Sequence, residues 1–350
     1  MTGNYSDLSL EVRIKNLLQR ISNFLLLNAG FIENPGLLNG KIGIAIFFYN
    51  YARYNENKIY ENFAGELIDE IYEGIDASIP VNFENGQTGI GWAVEYLVKN
   101  GFVQADTDEV LSEIDNYVSR NMMSHVVTSE NCNDLAGYGF YYPARLGLRY
   151  IGDENSVVKG IVQCIKFFTD YIGKAIVRKE IADFDLNSLS EDTICSLIWF
   201  LLETHKLGFS PEPAIRVFSC ISEHIEQLLN NSYGPGKSNL RLLVESLVNS
   251  LPDDLLKTTY RSILVKGNSN INKSESDNDT SIEIFIKNTW QELICNPYSN
   301  DTRLNRKDIS DLVSLIDIED YWERQLDKPN SDNLGLKGCA GLGLGILKII

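Results

Sequence analysis

Histidine and methionine each occur only three times in this chain of 350 residues, and none of the histidines, His125, His205 and His224, has a cysteine beside it. The six cysteines, Cys132, Cys164, Cys195, Cys220, Cys295 and Cys339, are scattered without a Cys-x-x-Cys pair. That spacing offers neither a disulfide framework nor a zinc-ligand pattern, and it predicts reduced, mostly buried thiols. Long apolar runs are also missing. Met1 to Asp7 are polar, and the apolar stretch that follows is broken by Arg13, Lys15, Gln19 and Arg20, so neither a signal peptide nor a membrane span is expected and the cytoplasm is the expected location. Cations are scarce: Lys and Arg number 31 against 48 Asp and Glu, a net charge of −17. This argues against nucleic acid as a partner, because that affinity comes mostly from phosphate neutralisation.

What the chain does contain is helical periodicity, with almost no sustained alternation. Its hydrophobic fraction of 44% is that of a globular protein. The length predicts either two domains or one closed repeat architecture. Leu10, Val12, Ile14, Leu17, Leu18, Ile21, Phe24 and Leu25 form an apolar stripe separated by charged residues, which is one amphipathic helix. Similar segments are expected at 59–75, 108–120, 155–177, 212–229, 253–265 and 306–324. Between them lie segments that open with glycines and run apolar nearly all round. GLLNGKIGIAIFFYNYA runs from Gly36, NGQTGIGWAVEYLV from Asn85, DLAGYGFYYPARLGL from Asp134 and GLKGCAGLGLGILKII from Gly335. Gly40, Gly86 and Gly137 are about 50 residues apart, and Gly338 lies about six such steps from Gly40.

Three degraded copies fill the gaps: Asn187–Thr204, which has lost its glycines; SYGPGKSNLRLLVESLV, which keeps Gly234 and Gly236; and Ile282–Ile294, the weakest. Seven pairs of one amphipathic and one all-round apolar helix predict an all-α fold, an α/α toroid with two concentric rings over residues 1–350. An open solenoid would need polar ends, whereas Leu342–Ile350 is strongly apolar. Glycine is poor inside a helix by about 1 kcal/mol, so its recurrence at one phase points to tight turns and close backbone approach. The polar stretch 266–281 is expected to be a mobile surface loop within this domain.

The glycine-led phrases resemble those of the lanthionine synthetase C-like proteins, the cyclases of lantibiotic biosynthesis and their relatives. The resemblance covers nearly the whole chain at the level of repeat rhythm. It implies a seven-hairpin toroid with a cavity at the glycine-led ends of the inner helices, and a peptide substrate or partner modification enzyme. Catalytic members bind zinc through a cysteine in the fifth unit and a Cys-His pair in the sixth, making a thiolate that attacks a dehydrated Ser or Thr. Here Ser232 stands where the first cysteine would be, no Cys-His pair exists, and Asn187–Asp192 lacks the histidine of the fourth unit. The expectation is therefore a metal-free relative with no cofactor. Only Asp134 resembles a family acid.

The candidate substrate-binding residues at the cavity are Asn39, Lys41, Gln87, Trp92, Tyr138, Tyr142, Arg145, Lys237 and Lys337. Glu95 falls amid an apolar helix, where a carboxylate needs a partner. It is either ion-paired, with Arg145 as a candidate, or catalytic together with Asp134. The catalytic alternative makes the chain a carbohydrate-active enzyme of the glycoside hydrolase or epimerase type, built on the same architecture. Cys195 and Cys339 are expected near the cavity ends, whereas periodicity puts His205 at the far end of a buried helix and His224 on an amphipathic one.

Overall fold

A computed structural model describes residues 10–76, 78–124, 132–147, 149, 152–181, 184–209, 211–231, 239–250, 254–268, 278–295, 313–314, 334–348 and 350. Among them every regular element is helical and there is no strand. The expected fifth glycine opening with Ser232 and Lys237, and nearly all of 306–324, lie outside the described residues. Contacts group the chain into two compact units. One comprises Met1–Asp76, Gly234–Gly236 and Ser276–Ile350, and the other Ala77–Tyr233 and Lys237–Glu275.

In the first unit, α1 (Leu10–Asn28) buries Ile14, Leu17, Leu18, Ile21 and Leu25 along one face, as its stripe predicts. By contrast, α2 (Lys41–Asn55) buries every residue from Ile42 to Tyr49. The amphipathic α3 (Lys58–Gly74) returns against α2 through Phe48, which stacks on Tyr60 and meets Phe63 edge-on. α13 (Asn278–Cys295) and α14 (Cys339–Leu347) come from the other end of the chain. α14 is buried from Cys339 to Ile346 and packs on α1, α2 and α13. Its glycines explain how so short a helix fits. A Cβ on Gly343 would run into the Phe47 ring of α2, and one on Gly345 into Thr289 and Phe285 of α13.

The second unit repeats the two kinds of helix. α4 (Gln87–Lys99), α7 (Cys132–Leu146) and α9 (Glu191–Lys206) are the apolar ones, and α11 (Asn239–Ser250) packs on α9. The connecting helices are a short α5 (Thr107–Val110), α6 (Ser112–Ser124), α8 (Ser156–Ile172), α10 (Pro211–Asn231) and α12 (Asp254–Asn268). Gly137 of α7 lies against Thr88 of α4, Tyr141 against Gly91, and Arg145 against Glu95. The two helices are therefore parallel neighbours in a register of about 50, the period of the sequence repeat, and the chain between them must run back. The last helix of this unit reaches residue 268 and α13 begins at 278, so both intrude into the stretch expected to be a loop at 266–281.

One glycine has a different role from the expected one. Gly137 is not at the start of its helix, which begins at Cys132; it lies within α7, where it leaves room for Thr88. Gly86, in contrast, precedes α4, and a Cβ there would collide with the carbonyl oxygens of Pro80 and Asn82. Replacing Gly86 with Ala is expected to cost about 1–3 kcal/mol. Gly160→Ala, in α8 where nothing approaches, should instead stabilise by roughly 0.5–1 kcal/mol. Urea unfolding of the two variants checks the contrast.

Candidate functional site

The glycine-led helix ends share one piece of backbone chemistry. The first amides of a helix have no partner within it. Here the preceding loop folds back to supply one. Lys41 N–H donates to the Asn34 carbonyl at 2.9 Å, Gln87 N–H to Pro80 at 2.8 Å, and Ala340 N–H to Leu334 at 3.1 Å. The next amides, of Ile42, Thr88 and Gly341, donate to Pro35, Val81 and Gly335. Each loop thus forms a collar on its helix, and Gly40, Gly86 and Gly338 are N-caps with no side-chain cap bond. In the first unit two collars join directly. Lys337 N–H donates to the Leu38 carbonyl at 2.8 Å, and Gly335 lies so close to Leu38 and Asn39 that a Cβ would not fit.

This junction brings together three of the predicted residues. Asn39 is buried in the first collar, Lys41 opens α2 half-buried with its ammonium 2.5 Å from Glu70 Oε2, and Lys337 holds its ammonium 5.9 Å from the centre of the Trp290 ring. Trp290 is a member that sequence reasoning missed, because the helix carrying it has no glycine signature. Gln87 occupies the equivalent place in the second unit, buried at the start of α4 with Nε2 3.5 Å from the Ile79 carbonyl.

The other predicted residues lie elsewhere. Tyr138 is buried, donates to Asn121 Oδ1 at 2.9 Å and meets Phe168 edge-on, which aims it at α6 and α8. Tyr142 is buried beside Cys164 of α8, and Trp92 is buried, stacked on Tyr96 and edge-on to Phe83. These aromatics pack between helices; residues 138 and 142 share a face one turn apart, and that face meets the amphipathic helices α6 and α8.

Arg145 lies in a charged cage at the far end of α7. Its guanidinium is fully buried and meets three carboxylates: Glu95 at 2.8 Å, Asp115 at 2.8 Å and Asp108 at 3.1 Å. Lys99 pairs with Glu95 at 3.2 Å and Arg149 with Asp108 at 2.7 Å, so three cations face three anions. The Tyr141 hydroxyl completes the set by donating to Asp115 Oδ1 at 2.6 Å, its ring passing over Gly91. Glu95 therefore has the ion pair that was one of its two expected roles.

The catalytic alternative meets a geometric obstacle. Asp134 lies in the first turn of α7, its side chain outside the described residues, while Arg145 and the Glu95 that it binds lie 11 residues further on. At 1.5 Å per residue that is about 16 Å along the helix, beyond the roughly 5–9.5 Å that separates paired glycosidase carboxylates.

Among the described residues, the thiols and imidazoles are not gathered into the zinc donor set that the resemblance implies for catalytic members. Cys339 is completely buried and burial pushes its thiol up to about 12, the opposite of a thiolate ligand. Cys195 is buried in α9, and His224 uses Nε2 on the Leu189 carbonyl at 3.0 Å. Among the described residues no group of three or more His, Cys, Asp or Glu is placed to hold a metal ion. Likewise, no helix among them is long and apolar enough to cross a membrane.

Two expectations follow from the cage. Arg145→Met leaves buried carboxylates without their shared cation and should cost about 3–5 kcal/mol in chemical unfolding. Burial acts to raise the Asp108 carboxyl, but hydrogen bonds and charge from Arg149 and Arg145 outweigh it and hold the group below its usual range. A lowered folded value means stability that is present above pH of about 4 and lost as pH falls through that value. Thermal unfolding between pH 6 and pH 2 should therefore decline less steeply for Asp108→Asn than for the parent, from a lower starting point. No protein-family model, curated protein or solved structure matches the chain.

Proposed function

We propose that the protein is a relative of the lanthionine synthetase C-like proteins, with its helical hairpins closed as an α/α toroid, and that it binds a peptide at the glycine-led helix ends without forming thioethers through zinc. The observation that carries this reading is the junction of the first and last collars, where α14 packs on α2 and Lys337 N–H reaches Leu38. A repeat array whose last apolar helix seats against its first is what ring closure requires. The alternation of one-face and all-round buried helices supports the same architecture.

Asn39, Lys41 and Lys337 are the residues assigned to the peptide. Two half-buried ammonium groups flanked by an amide and an indole suit a peptide's carboxylate or carbonyl oxygens, with Lys41 exchanging its exposed partner Glu70 for the ligand. Lys237 holds the comparable place in the degraded fifth phrase. The peptide arrives free or presented by a modification enzyme, and the protein's part is to hold it.

The test uses a fluorescent linear peptide carrying one cysteine and one dehydroalanine. Anisotropy should report binding, weakened about tenfold by Lys41→Ala with Lys337→Ala. The peptide thiol should remain fully open to iodoacetamide after incubation. Loss of that thiol, together with about one zinc per chain by elemental analysis, would mean cyclase chemistry and overturn the metal-free reading.

A further inference from the structure

Counted together with the π-helical turn that extends it, α8 carries four cations against one acid, more than any other of the described helices in this acidic chain. It continues without a break into a π-helical turn, Gly173–Arg178, that a left-handed Lys179 ends. Val158, Ile161, Ile165, Phe168, Ile172 and Ile176 are buried on one side, against neighbours that include α7 and α10. The opposite face carries Lys159, Lys166, Lys174 and Arg178 with one carboxylate among them, Asp170, all five exposed, and Glu180 just beyond the turn lies 3.6 Å from Arg178. The π turn carries that face one turn further, and a local change of helical pitch of this sort is common where a helix serves a function.

Asp170 shows what the face does to an acid. Lys174 holds Oδ2 at 2.8 Å and Arg178 holds Oδ1 at 2.9 Å, so one carboxylate is gripped by two cations. Lys166, a turn earlier, has no such partner among the described residues, and Lys159 reaches only the highly exposed Glu154. The positions of Lys159, Lys166 and Lys174 are about 10–12 Å apart along the axis.

We propose that this face of α8 docks a short acidic segment of a partner polypeptide, with carboxylates spaced about 10 Å apart, as at positions i and i+7 of a helix. The inference does not use the collars or the peptide reading given above. Charge complementarity selects the occupant, and range selects its size. Charges in solution act over about 8–10 Å at physiological salt, so a narrow peptide feels the cationic stripe alone. A membrane plane would also face the remainder of a molecule whose net charge is −17. Membrane-surface helices moreover bury an apolar face in lipid, and that face of α8 is spent on its own protein, leaving Phe167 as the one large exposed apolar side chain on it.

The probe is a fluorescein-labelled, alanine-rich helical peptide with glutamates at i and i+7, alongside its glutamine counterpart and vesicles containing phosphatidylserine. At low salt the glutamate peptide should bind and the glutamine peptide should not, and raising salt to physiological strength should weaken binding severalfold. Reversing Lys159, Lys166 and Lys174 to Glu should weaken it at least about tenfold, whereas reversing Lys15, Lys257 and Arg261, which changes the net charge equally, should alter it less than about twofold. Lys159→Gln with Lys166→Gln gives the same direction without charge reversal, and circular dichroism reports the fold of each variant. Equal losses from both sets of reversals, no binding of the glutamate peptide, or binding to the vesicles in its place would overturn the proposal.

Discussion

The buried helices α2, α4 and α14 can begin inside the protein because their first amides are satisfied by backbone. A helix that starts at the surface can cap itself with a polar side chain, and the amphipathic helices do so: Asn57 accepts from Ile59 N–H, Asp106 from Asp108 N–H, and Asn155 from Val157 N–H. The all-round apolar helices α2, α4 and α14 cannot place such a cap without bringing in a polar group that needs its own partners. Their loops fold back instead, and the fold-back leaves no room for a Cβ at Gly40 and Gly86. One requirement thus fixes the glycines, the loop path and the depth at which each helix starts.

The same requirement explains what was legible in the sequence. Glycines at one phase marked Gly40, Gly86 and Gly338 as helix starts, and all three are N-caps. Apolar stripes placed α1, α3, α8 and α10 to within a few residues. Where the glycines are gone the cap has changed kind: Ser190 accepts from Thr193 N–H at the start of α9, so the fourth unit keeps its helix with a side chain doing the collar's work. Gly137 was misjudged because a glycine admitting a neighbour's side chain looks, in one dimension, like a glycine permitting a turn. The aromatic and charged candidates were harder still. Periodicity shows that Tyr138, Tyr142 and Arg145 are buried but not which neighbouring layer they face. Glu95 was readable as a carboxylate needing a partner, whereas Asp108 and Asp115 lie on short amphipathic helices, where acids are ordinary.

Charge is distributed in two contrasting ways. Around Arg145 it is balanced and enclosed, which ties α4, α5, α6 and α7 together with a specificity that apolar contacts alone would lack. Along α8 it is unbalanced and open. A buried cluster must be neutral to be tolerated, whereas a surface stripe is free to remain unsatisfied.

The compact unit built from both ends of the chain has a consequence for the order in which the protein is made. Helices α1, α2 and α3 leave the ribosome early, yet the helix that fills the space between α1 and α2 is α14, ending at Leu347. At about 5–20 residues per second, some 270 residues separate the two events by roughly 14–54 seconds. Through that interval the nascent amino-terminal segment exposes Ile21, Phe47 and their neighbours to water and to other chains. The second unit has all its helices available before then, so it can reach its native packing first, and α14 then completes the first.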